Sequence, residues 1–306
     1  VGFQIDPIEK LNSKTDSSLP LILESQLRKN KNFYFLPSSL TYKNRCVYAN
    51  AKEVYFKKNK LENYTLGKEK QVKLNNFDYI FIRQDPPYNM EYISSMHLLE
   101  QVKSSTKFIN HPKGIRNAPE KISMLAYEKI IPPTIITREK NEVDNFTKKY
   151  GKSVIKPLYG NGGESIFLLD KKDENYNQIT ERFINQLSEP FIVQKFLPEI
   201  RNGDKRIILI NGEPIAALRR VPKNQEIRSN IHVGGRCEAI KMSKQDMKIC
   251  DEIKKFLKDE GLFFVGIDII GDYLTEINVT SPTCIQEIKK LHKLDISKII
   301  WDSLLN

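Results

Sequence analysis

Residues 263–279 read Phe-Phe-Val-Gly-Ile-Asp-Ile-Ile-Gly-Asp-Tyr-Leu-Thr-Glu-Ile-Asn-Val, and this stretch decides the fold of the C-terminal part of the chain. Asp268 interrupts a run that is otherwise apolar. A carboxylate in a buried strand is costly unless a cation compensates its charge. Gly271-Asp272 is a turn signal between two runs with strand patterning. The stretch therefore predicts an antiparallel hairpin that brings Asp268 close to Glu276.

The second strand of this hairpin carries polar residues on one side. Glu276 and Asn278 stand two positions apart and share a face, whereas Ile277 and Val279 point to the other face. With Asp268 they offer oxygen donors of the kind that Mg²⁺ binds together with substrate phosphate oxygens. A solvent-facing side of an edge hairpin would have the same pattern. A magnesium site and a solvated hairpin face both remain open from the pattern alone.

A glycine-rich loop, Tyr159-Gly160-Asn161-Gly162-Gly163, lies upstream of the hairpin. It follows the apolar strand 153–155 and Lys156, and a second strand is expected at 165–169. Rossmann and Walker phosphate loops lead into a helix, so a loop between two strands excludes both. Lys156 is then either a lysine that extends from a strand end to solvent or a phosphate contact. In the second case the backbone N–H groups of the glycines would form an anion-binding nest.

Basic residues flank a predicted hairpin between the loop and the acidic strands. Asn211-Gly212 separates apolar runs at 206–210 and 214–218, and Asn-Gly in that position is a strong hairpin signal. Lys205-Arg206 precedes the turn and Arg219-Arg220 follows it, which adds fixed positive charge. Each arginine alone could equally be a surface residue.

The run 221–236 has no apolar period and contains the pair Gly234-Gly235, so it predicts a long loop. Loops of this length are usually functional or disordered. We expect it to cover the site as a lid and to add Arg228 to the positive cluster. His232 lies in the same loop, where a lone histidine is more simply an exposed side chain.

Residues 1–120 alternate between apolar strands and segments with helical spacing. The elements are expected at 3–5, 19–27, 79–82, 89–102 and 108–109. This alternation predicts a parallel sheet covered by helices, while the polar stretch 42–75 looks poor in strands and stays unplaced. Further strands are expected at 134–136 and 191–194, and helices at 139–150, 243–260 and 295–305.

The composition sets limits on the class of protein. The chain has 306 residues, 40% hydrophobic and 28% charged, which is typical of a globular protein with roughly two or three domains. Its net charge is +11, but only 12 of the 49 basic residues are arginine and no basic stripe is visible, so nucleic-acid binding is not favoured. The four cysteines lack a CxxC pair, which predicts a reduced, cytoplasmic setting. Neither a membrane helix nor a signal peptide is expected.

Several ordered motifs resemble the bacterial glutathione synthetases of the ATP-grasp superfamily over nearly the whole chain. The motifs are Ile5-Asp6-Pro7-Ile8, Asp16-Ser17-Ser18, Arg83-Gln84-Asp85-Pro86-Pro87, Lys156 to Gly163, Asp204-Lys205-Arg206, 265–272 and 275–283. The resemblance implies an ATP-grasp fold with an N-terminal α/β substrate-binding domain at 1–120. The ATP-grasp domain would span 121–306, with a small ATP-binding lobe at 121–197 and a metal- and substrate-binding lobe at 198–306.

The resemblance also implies the activity and its site residues. The chain would join γ-glutamylcysteine to glycine through an acyl phosphate, giving glutathione, ADP and phosphate. The residues near the ATP phosphates would be Lys121, Lys156, Gly160, Gly162 and Gly163, and those near adenine would be Gln194, Lys195, Phe196 and Leu197. Two Mg²⁺ ions would be held by Asp268, Glu276 and Asn278, and Mn²⁺ could substitute for them. The catalytic arginines would be Arg206, Arg220 and Arg228. Substrate contacts would come from Asp16, Ser17, Ser18, Arg83, Ser281, Pro282 and Thr283.

One departure from the family pattern concerns the glycine loop. Tyr159 stands where many relatives have an acidic residue, which leaves the outer contacts of the loop open. Two other functions also remain open: an ATP-grasp ligase with a different amine acceptor, and a nucleotide- or nucleic-acid-binding protein without turnover. A homo-oligomer is expected, with small-molecule substrates and no nucleic-acid or membrane partner.

Overall fold

The computed structural model describes residues 1–103, 105–160, 165–222 and 236–305. Within these ranges the chain forms three β-sheets with helices packed against them. The strands are β1 (Gly2–Gln4), β2 (Asn32–Phe35), β3 (Thr41–Lys43), β4 (Cys46–Phe56), β5 (Tyr64–Leu66), β6 (Lys70–Lys73), β7 (Tyr79–Ile82), β8 (Lys107–Ile109), β9 (Thr134–Thr137), β10 (Lys152–Pro157), β11 (Phe167–Asp170), β12 (Phe191–Lys195), β13 (Asp204–Ile210), β14 (Glu213–Val221), β15 (Arg236–Ala239), β16 (Phe264–Ile270) and β17 (Tyr273–Asn278). The helices are α1 (Ser18–Leu27), α2 (Met90–Leu99), α3 (Pro112–Asn117), α4 (Lys140–Tyr150), α5 (Tyr176–Gln186), α6 (Lys244–Asp259), α7 (Ile285–His292) and α8 (Ile296–Leu305). None of the helices in the described ranges is long and apolar enough to cross a bilayer.

The first sheet has a parallel centre, as predicted. Strands β2, β1, β7 and β8 lie side by side and run parallel. Side chains alternate between the two faces. Phe81 packs with the α8 residue Trp301 on one face, and Ile80 packs with the α2 residues Tyr92 and Met96 on the other. The C-terminal helix therefore covers the N-terminal sheet.

The view of 42–75 as poor in strands is wrong. This stretch contains β3, β4, β5 and β6, and β4 runs antiparallel to β2, so the sheet is mixed at this edge. Val47, Ala49 and Ala51 are buried at alternating positions of β4. Small residues on the buried face and lysines on the exposed face weaken the hydrophobic alternation on which strand prediction depends.

The second sheet is antiparallel, with the strand order β11-β10-β12-β9. Helices α4 and α5 cover one face, where Val143 and Phe183 pack on Phe191 and Val193. The glycine-rich loop connects β10 to β11, which confirms that it joins two strands. Helix α5 was not predicted, although Tyr176 and Phe183 lie seven positions apart on its buried face.

The third sheet is antiparallel, with the order β15-β14-β13-β16-β17. The Asn211 turn between β13 and β14 has positive φ angles at Asn211 and Gly212 (51° and 76°), which explains the Asn-Gly pair. Helix α6 begins at a capping box, in which Ser243 Oγ accepts from Asp246 N. Both hairpins predicted here are confirmed.

The ends of the predicted 221–236 loop are strands. Val221 ends β14 and pairs with Arg236, the first residue of β15. The prediction of a lid concerns residues 223–235, which lie outside the described residues.

Candidate active site

The buried carboxylate of Asp268 is the centre of the candidate site. Strands β13 and β16 pair so that Arg206 lies opposite Asp268. The Arg206 guanidinium donates from Nε to Oδ1 over 2.5 Å and from Nη2 to Oδ2 over 2.9 Å. Arg220 Nη2 lies 3.0 Å from Asp268 Oδ2. The buried carboxylate that the sequence singled out is thus compensated by two arginines.

A second carboxylate balances the two arginines. Arg220 donates from Nε to Asp204 Oδ1 over 3.0 Å, and its Nη2 contacts the other oxygen. Burial opposes the ionisation of Asp268, but Arg206 and Arg220 outweigh it and hold the pKa of Asp268 below its ordinary value. Two positive and two negative charges therefore alternate across the face of β14, β13 and β16.

Glu276 and Asn278 join Asp268 at this face, as predicted. Glu276 is the register partner of Asp268 across β16 and β17. Asn278 Nδ2 donates to Asp268 Oδ2 over 3.3 Å. Within the described ranges no larger group of histidine, cysteine and acidic side chains suited to a metal occurs. The donor set is two carboxylates and an amide, which matches the few protein ligands that Mg²⁺ takes beside phosphate oxygens.

Two lysines approach Glu276 from the other side of the site. Lys121 Nζ and Lys156 Nζ lie 3.9 and 3.8 Å from Glu276 Oε1. Lys156 is only 7% exposed, so its interpretation as a lysine that reaches solvent is wrong. Burial lowers the pKa of Lys156 to about 8, against the opposing effect of Glu276. Lys121 also donates to the carbonyl of Gly160, at the start of the glycine loop.

Glu120 is a site residue that the sequence analysis missed. Its side chain is partly buried and accepts from Thr280 Oγ1 over 3.1 Å, and its carbonyl accepts from Ile277 N over 3.0 Å. Burial, followed by the charge of Glu276, raises the pKa of Glu120 to about 7. Its position directly before Lys121 was the only signal in the sequence, and that position alone does not distinguish it from a surface glutamate.

The segment expected near adenine lies at the end of β12. Gln194 is buried and its Nε2 donates to Thr134 Oγ1 over 2.9 Å. Phe196 N donates to Lys152 O over 3.0 Å, and the side chains of Phe196 and Leu197 are mostly buried. The segment therefore offers apolar side chains and backbone groups at the junction of the second and third sheets.

Polar residues of the N-terminal sheet form a second buried cluster. Arg83 Nε donates to Ser18 Oγ over 3.3 Å, and Asp16 Oδ1 accepts from the backbone N of Ser18 and Leu19 at the start of α1. Within the described residues, three buried polar atoms of this region have no hydrogen-bond partner: Gln4 Oε1, Ser17 Oγ and Arg83 Nη1. Buried polar atoms without partners are costly, so this cluster is suited to a polar ligand. Burial lowers the pKa of Arg83.

Gln4 and Gln84 belong to this cluster and were not predicted. Gln4 Nε2 donates to Gln84 Oε1 over 3.0 Å, and Ser95 Oγ donates to the same oxygen over 3.3 Å. Gln4 ends β1 and Gln84 lies two positions after β7, so both are at the carboxyl ends of parallel strands, where ligands of α/β sheets bind. That position is a signal from which they could have been identified.

The turn after β17 brings the predicted acceptor residues to the arginines. Arg206 Nη1 donates to Thr283 Oγ1 over 3.5 Å. A Cβ on Gly266 would lie 3.2 Å from Arg206 Cδ and 3.4 Å from Pro282 Cβ, so the glycine allows this close approach. Asn110, which was not predicted, donates to Phe264 O and Val279 O over 2.8 Å and accepts from Phe264 N. It ties the first sheet to both strands of the acidic hairpin.

Some predicted site residues lie elsewhere or outside the described ranges. Lys205 was expected in the positive cluster, but it points to the opposite face of β13 and pairs with Asp246 at the start of α6, because neighbouring strand residues alternate between faces. Gly162, Gly163, Arg228 and His232 lie outside the described residues, and the structure gives no position for them.

The arrangement is suited to binding a polyanion. Lys121, Lys156, Arg206 and Arg220 bring positive charge to one face of the third sheet, beside carboxylates that can hold a divalent cation. Burial raises the pKa of the nearby Cys284 thiol, which keeps it in the unreactive protonated form. Such a site can stabilise phosphoryl oxygens by charge, without a protein nucleophile.

Comparisons with known proteins agree with this chemistry. The family model of the prokaryotic glutathione synthetase N-terminal domain matches residues 1–116, and the model of the prokaryotic glutathione synthetase ATP-grasp domain matches residues 120–293. The chain is 42% identical over 304 residues to the glutathione synthetase of Brucella melitensis, covering 99% of this chain and 97% of that protein. The glutathione synthetase of Agrobacterium fabrum is 40% identical over 304 residues, covering 99% and 95%.

Solved structures with the same fold are more distant in sequence. The ATP-grasp ligase PsnB in complex with a minimal precursor, Mg and ADP superposes with a TM-score of 0.62 at 18% identity, covering 99% of this chain and 97% of that one. The D-cycloserine synthetase DcsG superposes with a TM-score of 0.65 at 12% identity, covering 92% of each chain. At these identities the likeness establishes the ATP-grasp fold. Together with the family models and the curated relatives, it places the chain in the prokaryotic glutathione synthetase family, which consists of ATP-dependent ligases.

Proposed function

We propose that the chain ligates γ-glutamylcysteine to glycine with ATP, through an acyl phosphate, giving glutathione, ADP and phosphate. The observation that carries this proposal is the convergence of Lys121, Lys156, Arg206 and Arg220 on one face around Asp268 and Glu276. A carboxylate is a poor electrophile, and transfer of the ATP γ-phosphoryl group would activate it. Such a transfer depends mainly on positioning and on neutralising charge, which this face is built to supply.

We propose that ATP binds between the second and third sheets. Lys121 and Lys156 would contact its phosphates, with Gly160 and the following glycines Gly162 and Gly163 around them. The adenine would lie on 194–197, where buried Phe196 and Leu197 offer apolar contact. The position of both lysines, 3.8 to 3.9 Å from Glu276, supports this placement, because phosphates would give each ammonium group a closer anionic partner than Glu276.

Mg²⁺ fits the residues present. Glu276 and Asn278 share a face of β17, and among the described residues the Glu276 carboxylate has only the two long lysine contacts. Asp268 completes the proposed set, although its oxygens are engaged by Arg206 and Arg220, with which a cation would compete. When bound, Mg²⁺ would polarise the phosphate oxygens and neutralise part of their charge. We propose two Mg²⁺ sites, which Mn²⁺ could also occupy, on the basis of the family resemblance.

We propose that γ-glutamylcysteine binds at the N-terminal cluster and reaches the arginines with its cysteinyl carboxylate. Arg83 and Ser17 each present a buried polar atom without a partner in the described residues, as does Gln4. Asp16 and Ser18 hold these groups in place through α1 and Arg83. A dipeptide with its own carboxylates and amine would satisfy such atoms.

The chain's own residues would carry the reaction as follows. Arg206 and Arg220 would neutralise the negative charge of the phosphoryl oxygens as the dipeptide carboxylate attacks. Arg228 would contribute a further positive charge. Glycine would lie near Ser281, Pro282 and Thr283. From this position its amine would attack the acyl phosphate and displace phosphate. Exclusion of water from the intermediate would be required because acyl phosphates hydrolyse.

The organisation of the chain is also part of the proposal. We propose a substrate-binding domain at 1–120 and an ATP-grasp domain at 121–306, divided near 197 into a small and a large lobe. The three sheets fall within these ranges, which supports the division. We also propose that the protein is a homo-oligomer and works in the cytoplasm, where the free thiols of its cysteines would stay reduced.

The direct test is release of ADP by the purified protein. We expect release to require γ-glutamylcysteine and glycine together, with glutathione formed in equal amount. A panel of other amines in place of glycine tests the alternative of a different acceptor. Faster turnover with another amine would contradict the proposed acceptor, and ATP binding without turnover for any amine would contradict ligase activity altogether.

A further inference from the structure

Tyr159, which directly precedes the first glycine of the loop, contacts the N-terminal part of the chain. Its ring is stacked on Tyr88, with ring centroids 5.8 Å apart and planes at 20°. Tyr88 is stacked in turn on Tyr92, at 5.5 Å and 30°. The row of rings runs from the buried side chain of Tyr92 to Tyr159, which is 36% exposed. A residue at the start of the glycine loop is therefore held by the first sheet and its helices.

Tyr88 is firmly attached to the N-terminal part. Its hydroxyl donates a hydrogen bond to the carbonyls of Arg116 and Ile115 at the end of α3. Burial raises the pKa of the Tyr88 hydroxyl, so it stays a donor at neutral pH. Its ring is the fixed surface on which Tyr159 packs.

The stack lies between the two proposed binding surfaces. On one side, Tyr92 OH contacts Gln84 O over 3.5 Å, and Gln84 is bonded to Gln4 in the cluster proposed for the dipeptide. On the other side, Tyr159 directly precedes Gly160, whose carbonyl accepts from Lys121. A continuous series of contacts thus leads from the dipeptide cluster to a lysine of the proposed phosphate site.

We propose that the Tyr88–Tyr159 stack couples the binding of ATP and of γ-glutamylcysteine, with Tyr159 as a positioning residue for the start of the glycine loop. The inference rests on the proposed function, because it assigns these two ligands to the two sides of the stack. A ligand bound on one side would restrict the motion of the tyrosine on that side and of the ring stacked on it. The second ligand would then cause a smaller loss of conformational entropy when it binds. Coupling of this kind is reciprocal: each ligand raises the affinity for the other by the same factor.

The test compares the dissociation constant of a non-hydrolysable ATP analogue with Mg²⁺ in the absence and in the presence of saturating γ-glutamylcysteine. Calorimetry gives both dissociation constants. The constant without γ-glutamylcysteine divided by the constant with it measures the coupling. We expect the wild-type ratio to exceed one. Tyr159→Leu and Tyr88→Leu should each reduce it by about two- to tenfold, the range that an aromatic pair contributes. The double variant should reduce it no further.

Conservative and control variants separate positioning from general packing. Tyr159→Phe keeps the ring and should keep the wild-type ratio, whereas Tyr159→Asp removes the ring and should behave like Tyr159→Leu. Tyr55→Leu removes an exposed tyrosine of β4 and should leave the ratio unchanged. An unchanged ratio in Tyr159→Leu, or additive effects of Tyr88→Leu and Tyr159→Leu, would overturn the coupling.

Turnover of the wild type distinguishes failure of this inference from failure of the proposed function. ADP release that requires γ-glutamylcysteine, together with an unchanged ratio in Tyr159→Leu, overturns the coupling alone. Absence of release with γ-glutamylcysteine overturns the proposed function and the coupling with it.

Discussion

Asp268 and Glu276 are register partners across β16 and β17, yet their carboxylates are paired with different cations. Asp268 is bonded to Arg206 and Arg220, whereas Glu276 lies 3.8 to 3.9 Å from Lys156 and Lys121. Asp268 is thus a closely compensated charge, and Glu276 is loosely held and about a quarter exposed, at 24%. This difference predicts different consequences when each is replaced.

Replacement of Glu276 should abolish turnover without unfolding the protein. Glu276→Gln removes an anionic metal ligand but keeps the shape of the side chain, and the two lysine contacts that it weakens are 3.8 and 3.9 Å long. Steady-state ADP release and a urea unfolding curve measure the two effects. Glu252→Gln, at an exposed position of α6, is the matched control. Near-normal turnover of Glu276→Gln at limiting Mg²⁺ would show that Glu276 is not a metal ligand.

Replacement of Arg206 should destabilise the fold. Arg206→Met leaves Asp268 buried with Arg220 as its remaining cation, so the cost should be at most about 3–5 kcal/mol, the cost of a buried pair that loses one partner. Asp268→Leu, made alone and in the same chain as Arg206→Met, removes the carboxylate that Arg206 compensates. We expect the double variant to be more stable than the sum of the single effects implies, and all three variants to lack turnover.

Urea unfolding of the wild type and the three variants gives the coupling energy between the two side chains. A double variant whose loss of unfolding free energy equals the sum of the single losses would contradict the description of Asp268 as a charge held by Arg206.

The partly buried carboxyl of Glu120 should make stability depend on pH. Its pKa is raised from 4.5 to about 7, so between these values the unfolded chain loses the proton first and stability falls as pH rises. Above about pH 7 both states are ionised and the contribution is constant. The shift corresponds to about 3 kcal/mol. Glu120→Gln should therefore be as stable as the wild type at pH 4.5 and more stable at pH 8.

Urea midpoints at a series of pH values measure this difference. Glu252→Gln, which removes an exposed carboxylate of α6, serves again as the control. A constant difference for Glu120→Gln would show that Glu120 is ionised in the folded protein at the same pH as in the unfolded chain.

Local patterns in the sequence predicted the elements that carry the central charges. The turn at Gly271 and the alternation around Glu276 and Asn278 are features of neighbouring residues, and they fix the pairing that places Asp268 opposite Glu276. The glycine loop between two strands was predictable for the same reason. The identification of the family came from the order of the motifs along the chain.

Features that depend on distant contacts were not predictable. Glu120 meets Thr280, and Asn110 meets Phe264, across separations of 160 and 154 residues. The Tyr88–Tyr159 stack likewise joins residues that follow strands of different sheets, β7 and β10. No local period identifies such partners, because burial and charge at these positions arise only when the sheets come together. Strand β4 was missed because two of its buried positions are alanines, and β3, β5 and β6 were missed because none of their residues is fully buried.

The fate of the dipeptide carboxylate oxygens tests the central claim most directly. γ-Glutamylcysteine labelled with ¹⁸O in its cysteinyl carboxylate is turned over with ATP, Mg²⁺ and glycine, and the released phosphate is analysed by mass spectrometry. If the carboxylate attacks the γ-phosphorus and glycine then displaces phosphate, each phosphate carries one oxygen from the dipeptide. Phosphate without label during full turnover would contradict the acyl phosphate and with it the assignment of Arg206 and Arg220 to phosphoryl transfer.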